Sequence, residues 1–187
     1  DWVVIASSTE SHYELAKHFI ESGVNVFVEK PMTPTYQQSK ELVDLSKKHN
    51  VKLYVDDVFL YHPTLRWITQ YDPKVLRFEW KKYGSFNDNI FNNLSYHDLY
   101  IALHLGYELS GDIHIKTNRV NEKEFTIGDI EFYYDRLSSV KTKQAIGSGY
   151  TFDFKTNLNL LTSMFHRVFD GKVSFESNNQ MALEVNS

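Results

Sequence analysis

Three short apolar runs, Val3–Ser7, Val24–Glu29 and Val51–Val55, alternate with two stretches of helical length within the first 63 residues. Each run is rich in β-branched residues, the pattern of a strand covered on both faces. Between the first two runs, Leu15, Ala16, Phe19 and Ile20 form one apolar stripe that stops at Gly23. Ser7, Ser8 and Thr9 offer oxygens to cap the start of this helix. Thr33 and Pro34 predict the next start, as a cap followed by a first-turn proline, and Leu42, Val43 and Ser46 predict its inner face. Strand, helix, strand, helix, strand with short connections is a right-handed βαβαβ unit, half of a doubly wound nucleotide-binding sheet.

Beyond Pro63 the pattern changes. Leu76, Phe78 and Trp80 alternate with Arg77, Glu79 and Lys81, predicting a half-exposed strand. A helix is expected from about Asn93 to Leu105. Strand-like segments follow around 114–118, 125–127, 130–134, 140–146 and 150–154, then a helix carrying Leu160, Leu161, Met164, Phe165, Val168 and Phe169. The expected fold class is therefore α/β plus α+β. The second half of a Rossmann-type parallel sheet occupies residues 1–63, and a mainly antiparallel sheet with helices on one face occupies residues 64–187. The chain opens on a buried-type strand without a lead-in and closes on Met181–Ser187, which reads as an interrupted helix. Both features lead to the expectation of a longer parent protein, since natural ends usually lie in polar segments.

Composition narrows the function classes. A formal charge of −4 gives no reason to expect nucleic acid or an anionic membrane as partner. The chain has no cysteine, so thiolate metal sites and disulfides are impossible. With no bilayer-length apolar run and no signal-peptide pattern, a cytoplasmic location is the expectation. No zinc-type spacing occurs. His97 and His104 are too far apart along one helix to share a metal, and Asp56 and Asp57 on a strand point to opposite faces. No metal site is expected.

The chemistry concentrates at two places. Val26-Phe27-Val28-Glu29-Lys30-Pro31 sets a lysine at the carboxyl end of a parallel strand, on the rim where open α/β sheets bind ligands. A partly desolvated lysine can share a proton near neutrality. Asn93 and His97 stand one helical turn apart and project from one face. Imidazole, with a pKa near 6.5, suits proton transfer.

Four segments together resemble the glucose–fructose oxidoreductase/inositol dehydrogenase (Gfo/Idh/MocA) family. Ile5-Ala6-Ser7-Ser8-Thr9-Glu10-Ser11-His12 is similar to the family's strand–turn with Thr-Pro-x-x-x-His, and Glu29-Lys30-Pro31 to its Glu-Lys-Pro. Phe59-Leu60-Tyr61-His62-Pro63 resembles the exit of its sixth strand in members acting on sugars and nucleotide sugars. Asn93-Leu94-Ser95-Tyr96-His97-Asp98 resembles its Asp-x-x-x-His-Asp. The resemblance implies an oxidoreductase that moves a hydride between a sugar, nucleotide sugar or polyol and NAD or NADP. It implies Lys30, His97 and Asn93 as catalytic residues, and Ser7, Ser8, Thr9, His12, Glu29 and Lys30 as cofactor-binding residues. It also implies a homo-oligomer. Asparagine at 93 departs from the family's aspartate; it can bond a hydroxyl but cannot take a proton. The G-x-G-x-x-G loop is absent, so weak cofactor binding and little activity are expected of this chain alone. The alternative is an inert binding or assembly module derived from the same family.

Overall fold

The computed structural model describes residues 1–71, 74–82, 90, 94–155 and 159–187, with the backbone alone at 71, 75 and 76. The chain forms two compact units, Asp1–Val58 with Leu160–Ser187, and Phe59–Asn159.

In the first unit, β1 (Trp2–Ile5), β2 (Asn25–Val28) and β3 (Leu53–Val55) pair in parallel in the order β1-β2-β3. Helices α1 (Thr9–Glu21) and α2 (Tyr36–Lys48) cross between them. Ala16 and Ile20 of α1, with Leu42, Val43 and Ser46 of α2, are buried as expected. Leu15 is not: it lies on the exposed side of α1, and buried His12 takes the place on the inner stripe. The second cap also moves. Thr35, not Thr33, is the N-cap, and its Oγ1 accepts from the Gln38 N–H. Thr33 is buried instead, its hydroxyl donating to the Thr35 carbonyl at 2.7 Å and lying 2.7 Å from Ser39 Oγ.

The other side of this sheet is aromatic. Phe27 of β2 meets Phe165 of α5 (Leu160–Phe169) at 5.0 Å between ring centroids. Trp2 meets Phe169 and also Phe175, the first residue of α6 (Phe175–Asn186), and Tyr54 meets Phe175. Side chains alternate along a strand. Val26 and Val28 therefore face away from Phe27, and all three are fully buried. Residues 160–187 thus belong with residues 1–58, and not with the segment after residue 63 as the sequence pattern suggests. The physical reason is that this aromatic face has no other cover within residues 1–58. Val4 on β1, at the end of the strand order, is exposed, whereas a strand covered on both faces was expected.

The tie between α6 and the sheet is polar as well. Val55 lies on the outer strand β3, and the Asn178 side chain takes the position of a further strand beside it. Asn178 Oδ1 accepts from the Val55 N–H at 2.8 Å, while Nδ2 donates to the Val55 carbonyl at 3.0 Å and to Asp57 Oδ2 at 3.2 Å. A buried edge whose main-chain groups would be orphaned is satisfied by one amide.

The second unit holds β4 (Val75–Lys81), β5 (Ile113–Asn118), β6 (Glu122–Ile127), β7 (Ile130–Asp135), β8 (Thr142–Gly147) and β9 (Tyr150–Asp153). Their order is β5-β6-β7-β4-β8-β9, antiparallel except for the β4–β7 pair. Helices α3 (Pro63–Tyr71) and α4 (Tyr96–His104) pack on one face. Leu65, Ile68, Ile101 and Ala102 from these helices close over Phe78, Phe125, Phe132 and Tyr134. The α3 helix escapes the sequence reading because, among its described side chains, only Leu65 and Ile68 are buried, while Trp67 is exposed. The opposite face of the sheet carries charge. Glu79 there is buried, contrary to the half-exposed expectation, because Lys81, Arg77 and Gln144 gather around its carboxylate. Among the described residues no helix is long and apolar enough to cross a membrane.

Candidate functional site

In the first unit the chemistry lies at the carboxyl ends of the parallel strands. β2 runs directly into Glu29, Lys30 and Pro31, so the strand delivers Lys30 to the rim, where it is half-buried. Ser7 and Ser8, at the end of β1, are exposed, and Thr9 opens α1. Ser8 occupies the N-cap position, yet its hydroxyl makes no cap bond; the Ser11 hydroxyl donates to the Ser8 carbonyl instead. These short polar side chains stand beside a helix N-terminus, where the macrodipole favours an anionic or oxygen-rich group.

His12 has a different surrounding from the other candidates. It is buried, with Nδ1 3.0 Å from the Pro31 carbonyl and Nε2 3.2 Å from the Ser7 carbonyl. The ring braces the end of β1 against the turn after β2 and so shapes the rim that carries Lys30.

Sequence reasoning gave Asp56 and Asp57 no role, but both are buried at the end of β3. Burial, followed by the neighbouring Glu29 carboxylate, raises Asp56 to about 7, against the Val58 N–H bond that favours its anion. Burial also raises Asp57 to about 7, opposed by hydrogen bonds from Tyr54, whose hydroxyl lies 2.6 Å away, and from Asn178. In the unfolded chain such carboxyls release their proton near pH 3.8. Between the two values the folded state holds more protons than the unfolded state, so the contribution of these two carboxyls to stability is fully present below about 4 and is lost as pH rises through about 7. Urea unfolding is therefore expected at a higher midpoint at pH 5 than at pH 8, with Asp57→Asn flattening the difference. A midpoint that does not change over that interval would contradict the assignment.

In the second unit, α4 presents His97 and Asp98, both buried. The His97 ring meets Phe59 edge-on, with centroids 4.8 Å apart at 70°, and lies 6.0 Å from Trp80. Asp98 turns to the sheet: Lys143 Nζ donates to its Oδ1 at 2.9 Å, and the Tyr134 hydroxyl donates to its Oδ2 at 3.1 Å. Lys143 Nζ stands 3.6 Å from the centroid of Trp80 and 4.1 Å from that of Phe59. Nothing in the local sequence links Asp98 to Lys143, which stands between Thr142 and Gln144 and reads as a solvent-facing residue. Lys30 belongs to the first unit and His97 to the second, and Asn93 lies outside the described residues. No cluster of three or more histidine, aspartate or glutamate residues suited to a metal occurs among the described residues.

Comparison with known proteins follows the same division. Residues 1–57 match the Gfo/Idh/MocA family, an oxidoreductase family with an NAD-binding Rossmann fold. The oxidoreductase YhhX of Escherichia coli is 53% identical over 45 residues, 24% of this chain and 13% of that protein. UDP-N-acetylglucosamine 3-dehydrogenase of Acidithiobacillus ferrooxidans is 25% identical over 109 residues, 55% of this chain and 35% of that protein. The matched part of the chain thus spans little more than a third of these curated relatives at most. The crystal structure of the A. ferrooxidans enzyme superposes with a TM-score of 0.81 at 15% identity, covering 100% of this chain and 75% of that one. The WlbA dehydrogenase of Thermus thermophilus, solved with NAD and α-ketoglutarate, superposes with a TM-score of 0.83 at 12% identity, covering 100% and 71%. At these identities the superpositions establish the fold alone.

Proposed function

We propose, for a chain whose first 57 residues belong to the Gfo/Idh/MocA oxidoreductase family, that its protein is a nicotinamide-dependent dehydrogenase or reductase of a nucleotide sugar, sugar or polyol. The observation that carries this reading is Lys30, set by β2 in a Glu29-Lys30-Pro31 turn at the carboxyl rim of a parallel sheet. Support for the substrate class comes from the fold neighbours, among them WlbA in complex with NAD and UDP-GlcNAcA.

NAD or NADP supplies the hydride chemistry when bound. The residues present fit its nicotinamide end: the exposed Ser7 and Ser8, Thr9 at the start of α1, and the half-buried Glu29 and Lys30. His12 contributes by bracing this rim through the Ser7 and Pro31 carbonyls. In this reading Lys30 hydrogen-bonds the reacting oxygen of the substrate and His97 takes or returns the hydroxyl proton. Asn93, as an amide, orients a hydroxyl without accepting its proton. A homo-oligomer in the cytoplasm completes the reading; the exposed Ile113 and Ile115 on the outer strand β5 support self-association.

The test is an absorbance assay of NAD(P)H with the full-length protein and a panel of UDP-sugars, free sugars and inositols. Turnover of at least one substrate is expected, and His97→Gln should lower kcat by about a hundredfold, the scale of general acid–base catalysis. No turnover with any of them would favour the second reading, an inert binding or assembly module, for which asparagine at position 93 is the specific observation. The chain as given lacks G-x-G-x-x-G, the loop that places pyrophosphate on a helix N-terminus. Calorimetry is accordingly expected to give a dissociation constant for NAD in the millimolar range or weaker, and a micromolar value would overturn that assignment of the contacts.

A further inference from the structure

A buried ion pair is seldom more stable than two well-packed apolar residues, and its best-attested use is to fix one arrangement among several. Asp98 and Lys143 form such a pair, with side chains 3% and 6% exposed. Both Asp98 oxygens are taken, one by Lys143 on β8 and the other by Tyr134 on β7. A carboxylate held at two atoms by two strands cannot swing, so the rotation of α4 about its own axis is set. His97 precedes Asp98 by one residue, about 100° around the helix at 3.6 residues per turn. Fixing the direction of Asp98 therefore fixes the direction of His97.

The cation of the pair also reaches the rings against which the same histidine packs. Its ammonium lies 3.6 Å from the Trp80 ring and 4.1 Å from the Phe59 ring, within range of strong cation–π attraction for a desolvated lysine. His97 packs against those same two rings. One ion pair thus holds both the helix that carries the imidazole and the walls that confine it.

We propose that Asp98 and Lys143 are positioning residues for His97, acting through the rotation of α4 and the aromatic pair Phe59 and Trp80. This rests on the dehydrogenase reading for its catalytic consequence, but the positioning itself can be measured without activity. In the chain as given, the His97 ring protons lie beside the Phe59 ring and should resonate away from their random-coil positions. The signal is assigned by its loss in His97→Gln. Replacing the pair by a neutral one, Asp98→Asn with Lys143→Met, removes the clamp without leaving a lone buried charge. The His97 signal is expected to move towards the random-coil position while the unfolding midpoint stays close to that of the parent. An unmoved signal in the folded double variant would overturn the proposal.

If that variant does not fold, Tyr134→Phe deletes only one hydroxyl anchor, and a smaller displacement of the same signal is expected; none would again overturn it. In the full-length protein the double variant should lower kcat between about tenfold and a hundredfold with KM little changed, the cost of a misplaced catalytic group. Lys143→Arg, which keeps the cation, should restore part of it. An unchanged kcat in the double variant would overturn the catalytic consequence. If the His97 signal moves as expected but the parent protein turns over no substrate, the dehydrogenase reading fails and the positioning stands.

Discussion

Replacing Asn178 by alanine is expected to destabilise the first unit by about 2–4 kcal/mol, the cost of leaving buried main-chain and side-chain groups without partners. Its amide satisfies the Val55 N–H and carbonyl together and donates to Asp57. Alanine leaves the Val55 N–H and carbonyl without these partners. Asn178→Asp should be no better at neutral pH, because it keeps the acceptor for the Val55 N–H but sets a second carboxyl against Asp57. Gln180→Ala, on an exposed turn of the same helix, serves as the control and should change little. Urea unfolding followed by far-UV circular dichroism gives the comparison, and exchange of the Val55 amide gives the local one. An unchanged midpoint with Val55 still protected would mean that α6 is held by its aromatic contacts alone.

The second large effect is on activity. Lys30→Ala in the full-length protein is expected to lower kcat by a hundredfold or more, while shifting stability by no more than the roughly 0.5 kcal/mol usual at a site that is not core. Lys30→Arg should recover little of the rate, since a guanidinium keeps the charge but cannot share its proton near neutrality. Steady-state kinetics beside thermal unfolding separates the two contributions. A rate equal to that of the parent would remove Lys30 from the mechanism.

The parts of this fold that were legible in the sequence are those written in local periodicity. Val26-Phe27-Val28 reads as a buried strand and is one; the alternation through Phe78 and Trp80 reads as a strand and is one. Local reading failed where distant groups decide. Leu15 continues an apolar stripe, yet the buried position goes to His12, whose ring finds carbonyl partners at Ser7 and Pro31. Thr33 followed by Pro34 looks like a helix start, but the Thr33 hydroxyl is drawn to Ser39 and the cap passes to Thr35. Glu79 alternates as a solvent-facing residue and is instead buried among Arg77, Lys81 and Gln144.

The candidate site divides in the same way. Lys30 and His97 stand out because a lysine at a strand end and a histidine on a helix carry chemistry by themselves. The surroundings of His97 could not be read, because Asp98 and Lys143 are 45 positions apart and Tyr134 belongs to a third element. Asp57 likewise finds a hydrogen-bond donor in Asn178, 121 positions later. Charges in apolar company become meaningful only when the partner is known, and the partner is a property of the topology.

The Asn178 contact also has a consequence in time. Val55 and the amide that completes its edge are separated by 123 positions. On a ribosome adding about 5–20 residues per second, roughly 6–25 s pass between synthesis of the strand and synthesis of its partner. Throughout that interval β3 has an open edge, and the aromatic face made by Trp2, Phe27 and Tyr54 lacks Phe165, Phe169 and Phe175. Residues 59–159 emerge in the meantime and can complete their own sheet. Residues 1–58 are thus made before residues 59–159 yet finished after them, and chaperone binding to the nascent chain should map to residues 1–58 until helix α6 has left the exit tunnel.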